Sequence, residues 1–226
     1  MSTARSVRDP RIAQVTSASL SDAVDRRYSQ RSCVLGLVSP TPERVLFGRA
    51  LTLRFVPRRN DVYDPQRHNF ARLFYEALGE DAAAGAGRVL VLSSAGREDV
   101  SLGGGIKLAR AAHHGLAGVI ADGRLRDFDE LGAQGIAVWC RGPTPRGGQH
   151  DLMPIEANVP VTLADATVLP GDYIYADRAG AVIIPAAALD AVLDDAVAIE
   201  ARDRESAAGV RGEDPARVRR EGRQDD

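Results

Sequence analysis

The chain has 226 residues, 44% hydrophobic and 27% charged, with a net charge of −2. That balance suits a soluble globular protein and gives no basic footprint for nucleic acid. It offers no run of about 18 uncharged apolar residues to cross a bilayer and no opening signal-peptide stretch, and two cysteines are too few for a disulfide framework or a thiolate metal site, so a cytoplasmic protein with no nucleic-acid or membrane partner is expected.

Residues 9–30 are predicted as a helix, with Ile12, Val15, Leu20 and Val24 roughly on one face. Residues 34–38 and 50–55 are predicted strands separated by a Ser-Pro-Thr-Pro turn. Residues 66–79 form an amphipathic helix ended by Gly79. An apolar strand, 88–94, precedes a glycine-rich turn and a helix over 105–114. A strand at 117–122, a short helix over 127–135 and a strand at 136–140 follow, the last carrying Trp139 and Cys140 into the core. Residues 141–158 hold Pro143, Pro145, Gly147, Gly148 and Pro154 and are predicted as a long loop. Three strands, 160–165, 172–177 and 181–185, are joined by turns in which Asp172 and Asp177 take part. A final helix runs from 186 to about 205, and the charged tail over 201–226 is expected to be partly disordered. The pattern predicts an α/β fold with one domain over 1–200. Strand 88–94, helix 105–114 and strand 117–122 have the length of a βαβ crossover.

In such a unit both strand-to-helix loops open at one edge of the sheet, where α/β proteins tend to bind ligands. Two unusual segments fall there. Ser101-Leu102-Gly103-Gly104-Gly105-Ile106-Lys107 lets the backbone approach a ligand at a helix N-terminus, which favours an anion. It is neither a phosphate-binding P-loop nor a dinucleotide fingerprint. Asp122-Gly123-Arg124-Leu125-Arg126-Asp127 brings a guanidinium and carboxylates within a few residues. Taken singly, a triple glycine is a flexible turn and an Arg-Asp pair a solvated ion pair. Together, they could hold a small oxoacid with a divalent ion.

Gly118 through Asp127, set about twenty residues after the glycine turn, resembles the RraA-like proteins. So do Ser21-Asp22-Ala23, Gly48 through Thr52, Pro170-Gly171-Asp172 and Ala176-Asp177, so the resemblance covers most of residues 15–200. The family includes class II 4-hydroxy-4-methyl-2-oxoglutarate and 4-carboxy-4-hydroxy-2-oxoadipate aldolases and regulators of ribonuclease E activity. The resemblance implies a three-layer β/β/α fold of swivelling-domain type and a homotrimer, or a hexamer built from two. It implies that Gly104, Gly105, Ile106 and Lys107 supply a substrate-binding turn and that Arg126 binds a 2-oxoacid. It implies that Asp127 binds Mg²⁺ or Mn²⁺, largely through waters. Asp122 is then a candidate for orienting Arg126 or a metal-bound water. The regulators often lack the residue matching Asp127, so its presence favours a metal-dependent lyase, with oxaloacetate decarboxylation as a side activity. A non-catalytic regulator that binds a ribonuclease is the alternative. A methyltransferase is disfavoured, because no adenosylmethionine loop follows an early strand. The chain departs from the aldolases in lacking a carboxylate in the glycine turn and in ending strand 88–94 with Ser93-Ser94.

Lys107 is the single lysine among 29 basic residues. Its side chain is open to three readings: a Schiff-base nucleophile, an ammonium on a substrate carboxylate, or a surface group whose backbone alone matters. His113 and His114 are read as helix-end surface residues. Arg141, Arg146 and His150, around the long loop, are candidates for a second substrate carboxylate.

Overall fold

The structure is a computed structural model that describes residues 9–80, 85–94 and 96–221. The expectations for residues 1–8 and 222–226 lie outside the described residues. The central sheet is built from β1 (Cys33–Val34), β2 (Leu46–Pro57), β3 (Arg88–Ser93), β5 (Gly118–Ala121), β7 (Ala137–Trp139), β8 (Leu152–Ala157), β11 (Tyr173–Asp177) and β12 (Gly180–Ile184). Its strand order is β1-β12-β11-β2-β3-β5-β7, with β8 also pairing with β2. The stretch β2-β3-β5-β7 is parallel, with Leu51 beside Leu90, Leu90 beside Val119, and Val119 beside Val138.

Strand alternation divides these residues between two cores. Leu90, Leu92, Val119, Ala121 and Val138 face α2 (Phe70–Leu78), α3 (Gly105–His113) and α4 (Phe128–Gly132). Val89, Val91, Ile120 and Trp139 face the other way, onto the hairpin of β9 (Val161–Leu163) and β10 (Ala166–Val168). Helices, sheet and hairpin make the three layers that the sequence led us to expect. A third cluster joins α1 (Ser17–Asp25) and α5 (Leu189–Val210) to β11 and β12. Phe74 of α2 is fully buried, and a side chain of that size contributes about 1.5–3 kcal/mol by leaving water.

Several boundaries differ from expectation for local reasons. The first predicted helix is interrupted: a 3₁₀ turn (Pro10–Gln14) precedes α1, whose start is fixed by a Thr16–Ser19 capping box. The amides at the α1 start also find Asp177, which accepts from Ser17 N at 2.9 Å and Ser17 Oγ at 2.7 Å. The helix predicted from residue 66 begins at Phe70, because the Asn69 side chain accepts from Ala71 N and Arg72 N. The loop expected over 141–158 contains β8, an antiparallel partner of β2 with a register shift between Arg54 and Phe55. The last helix runs to Val210 and is followed by α6 (Pro215–Glu221), so the charged segment is helical over most of its described length. No helix among the described residues is long and apolar enough to cross a membrane.

Candidate active site

A short parallel pair brings the two unusual segments together. β4 (Ser101–Gly103) pairs with β6 (Arg124–Leu125), and Arg126 N donates to Gly103 O at 2.9 Å. The glycine turn thus ends beside Arg126 and Asp127. Asp127 holds a left-handed conformation, φ 56° and ψ 40°, which turns the chain into α4. Its Oδ2 accepts the Gly105 amide, at the start of α3, at 2.9 Å. That amide, expected to face a ligand, is therefore already engaged. The amides of Ile106 and Lys107 remain in the first helical turn, which has no intrahelical acceptor for them.

Gly104 allows a close approach of Asp127 and Arg126. A Cβ there would lie 2.6 Å from Asp127 Oδ2 and 3.2 Å from Arg126 Cβ. At Gly105 a Cβ would lie 3.1 Å from Glu130 Oε2. The space that a side chain in the turn would need is thus taken by a carboxylate reaching over from α4.

These residues open onto a cavity of about 460 Å³, lined among others by Gly104, Ile106, Lys107, Arg110, Arg126 and Asp127. His68, Asn69 and Phe70 enter from the start of α2, and Gly147, Gly148 and Gln149 from the long loop. Arg126 and Arg110 form no ion pair with any described carboxylate. Lys107 reaches inward: its Nζ donates to Leu102 O at 3.1 Å and lies 4.8 Å from the centre of the Phe70 ring. Burial, with Arg110 nearby, pulls its pKa down to about 8. Among the described residues, Lys107, Arg110 and Arg126 and one carboxylate, Asp127, therefore line the cavity, a balance that suits an anion.

The structure corrects the expectation for Asp122. Its carboxylate accepts the Ser94 amide and, at 3.4 Å, the Ala164 amide. It lines a different cavity, beside Ser94, Glu98 and Asp165 on the hairpin side, and does not reach Arg126. Burial raises its pKa from the ordinary Asp value. The loop candidates also separate. Arg146 pairs with Asp99 and Asp151, and Arg141 with Glu98, so the loop meets the cavity through Gly147–Gln149 rather than through Arg141, Arg146 or His150. His68 and Asn69 were not foreseen, since nothing in the sequence distinguishes them from ordinary helix residues.

Asp127, with Glu130 at the same glycine, gives a hard donor set of one or two carboxylate groups open to solvent. No group of three or more Asp, Glu, His or Cys residues suited to a metal occurs among the described residues. A Mg²⁺-type ion that keeps most of its waters asks for no more than one or two carboxylates, so the residues fit such an ion.

The layers and the cavity at the carboxyl edge of the parallel strands define an α/β protein of the β/β/α type, whose cavity has a cationic lining. The chain belongs to the RraA-like family, described as Aldolase/RraA, which it matches over residues 17–183. It is 37% identical to the "Putative 4-hydroxy-4-methyl-2-oxoglutarate aldolase" of Pseudomonas syringae over 107 residues, covering 45% of this chain and 62% of that protein. It thus spans less than two thirds of that curated relative. Among solved structures, it resembles Streptomyces coelicolor RraAS2, "an unusual member of the RNase ES inhibitor RraA protein family", at 28% identity and a TM-score of 0.73, covering 89% of this chain and 96% of that one. An uncharacterized protein from Pseudomonas syringae shares the fold at 24% identity, with a TM-score of 0.71 over 93% of this chain and 94% of that one.

Proposed function

We propose that this protein is a carbon–carbon lyase acting on a small 2-oxo or hydroxy-oxo acid, by retro-aldol cleavage, decarboxylation or both. The observation that carries this reading is the convergence of unpaired Arg126, Arg110 and Lys107 with Asp127 on one cavity at the N-terminus of α3. Arg126 would take the substrate carboxylate with its planar fork, and the free amides of Ile106 and Lys107 would orient the neighbouring oxygens. Asp127 would hold Mg²⁺ or Mn²⁺, and the bound ion would supply positive charge to the oxoacid oxygens. Both reactions leave the same enolate, whose charge would develop beside Arg126. The family resemblance supports a homotrimer or a hexamer.

The test is pyruvate release from oxaloacetate and from 4-hydroxy-4-methyl-2-oxoglutarate with Mg²⁺ or Mn²⁺, before and after a chelator. Release that the chelator removes is expected. A protein inert toward both substrates overturns the lyase reading and favours a regulator that binds a ribonuclease, which the likeness to RraAS2 also allows.

A further inference from the structure

Lys107 is the buried titratable group that the reading above uses only for its backbone amide and its charge. Retro-aldol cleavage needs two proton transfers. A base takes the hydroxyl proton as the bond breaks, and an acid gives a proton to the enolate carbon. Among the described residues the cavity holds one carboxylate, Asp127, and one of its oxygens is occupied by the Gly105 amide. Lys107 lines the same cavity, and among the described residues its Nζ has Leu102 O as its one hydrogen-bond partner and pairs with no carboxylate. The rings of Phe70 at 4.8 Å and Phe55 at 6.0 Å shield it from water. The charged groups that line the cavity with it are Arg110 on its own helix and Arg126 and Asp127 at the β6–α4 junction, and His68 enters from before α2. His68 accepts the Asp64 amide on Nδ1, at 2.9 Å. Burial, with the charge of Arg110 added to it, favours the neutral amine: the Lys107 pKa falls to about 8.

We propose that Lys107 is the proton carrier of the cleavage. Its neutral amine accepts the hydroxyl proton while the carbon–carbon bond breaks, the hydroxyl oxygen becoming the carbonyl of one fragment and the bonding pair passing into the enolate of the other. The ammonium then gives that proton to the enolate carbon and returns to the amine. In decarboxylation, carbon dioxide leaves first, the Lys107 ammonium, protonated beforehand from solvent, gives its proton to the enolate carbon, and the amine then takes a new proton from water. The inference rests on the lyase reading.

The experiment follows cleavage and, separately, exchange of the pyruvate methyl hydrogens in D₂O by NMR, for the wild type, Lys107→Met and Lys107→Ala. In the wild type, kcat/KM should rise with pH through about 8. Lys107→Met should lose about 10²–10⁴-fold in both reactions, together with that inflection. Added methylamine should restore part of the activity of Lys107→Ala, which a purely structural lysine would not show. Exchange kept within a few-fold in Lys107→Met, or an unchanged pH profile, overturns the proposal. So does a Lys107 adduct trapped by borohydride with pyruvate, since the amine would then be a nucleophile. A wild type that neither cleaves nor exchanges fails the lyase reading and this inference with it. An active wild type matched by Lys107→Met fails this inference alone.

Discussion

The carboxylate of Asp127 accepts the amide of Gly105 at 2.9 Å across 22 positions of sequence, which ties the start of α3 to the start of α4. One Asp127 oxygen therefore fixes the local shape while the other stays open to the cavity.

Asp127→Asn separates these two duties. An amide oxygen still accepts from Gly105, so the melting temperature should stay within a few degrees. The lost charge should lower kcat/KM by about 10²–10³-fold and weaken Mg²⁺ binding in calorimetry. Wild-type turnover would remove Asp127 from the reaction.

Gly104→Ala places a Cβ 2.6 Å from Asp127 Oδ2. The carboxylate can swing aside, so folding should suffer little, by about 1 kcal/mol. Moving that oxygen by about 1 Å should cost activity about 10²-fold. Steady-state kinetics beside a thermal melt read both effects, and unchanged kinetics would mean that the turn does not position Asp127.

Arg126→Lys keeps the charge and loses the fork. A bidentate grip on a carboxylate is not replaced by a point charge. A rise in KM for the oxoacid of at least about tenfold is expected, an effect of about 1.4 kcal/mol. A lysine variant with wild-type KM would show that Arg126 does not hold the carboxylate.

Asp122→Ala should act on stability rather than on catalysis. It strips the acceptor from the buried Ser94 amide, at a cost of about 1–3 kcal/mol in chemical denaturation. Activity of the folded protein should change little, since Asp122 lies outside the cationic cavity. The pH dependence also has a definite sign. The folded pKa is raised, so the stabilisation from this group is full below the unfolded Asp value of about 3.9 and is lost as pH rises through the raised folded value. Asp122→Asn should lack that slope.

Light scattering should give three chains of 24.1 kDa, about 72 kDa, or six, about 145 kDa. A 24.1 kDa species would argue against the assembly that the family resemblance implies.

The apolar runs at 88–94, 117–122 and 136–140 and the amphipathic helices were legible because each is set by local periodicity. The glycine turn and the Arg126-Asp127 pair stood out by composition. β8 did not, because Pro154 and the nearby glycines mark a loop, and its strand character comes from pairing with distant β2. The β4–β6 pair escaped notice for the same reason: each partner is only two or three residues long. The direction of Asp122 was within reach. Alternation along β5 puts it on the face of Ile120, toward the hairpin, and the Asp-Gly-x-x-Arg-Asp pattern drew attention to the wrong side. Nothing local announces the left-handed turn at Asp127, and His68 reaches the cavity only because Asn69 delays the start of α2.

The inward course of Lys107 has a practical side. With a single lysine in the sequence, growth on ¹⁵N-lysine would label one side chain, and that side chain lines the cavity. Its resonance would report occupancy, protonation and exchange of bound small molecules without background from the rest of the chain, so ligand screening would need neither a coupled assay nor a known substrate.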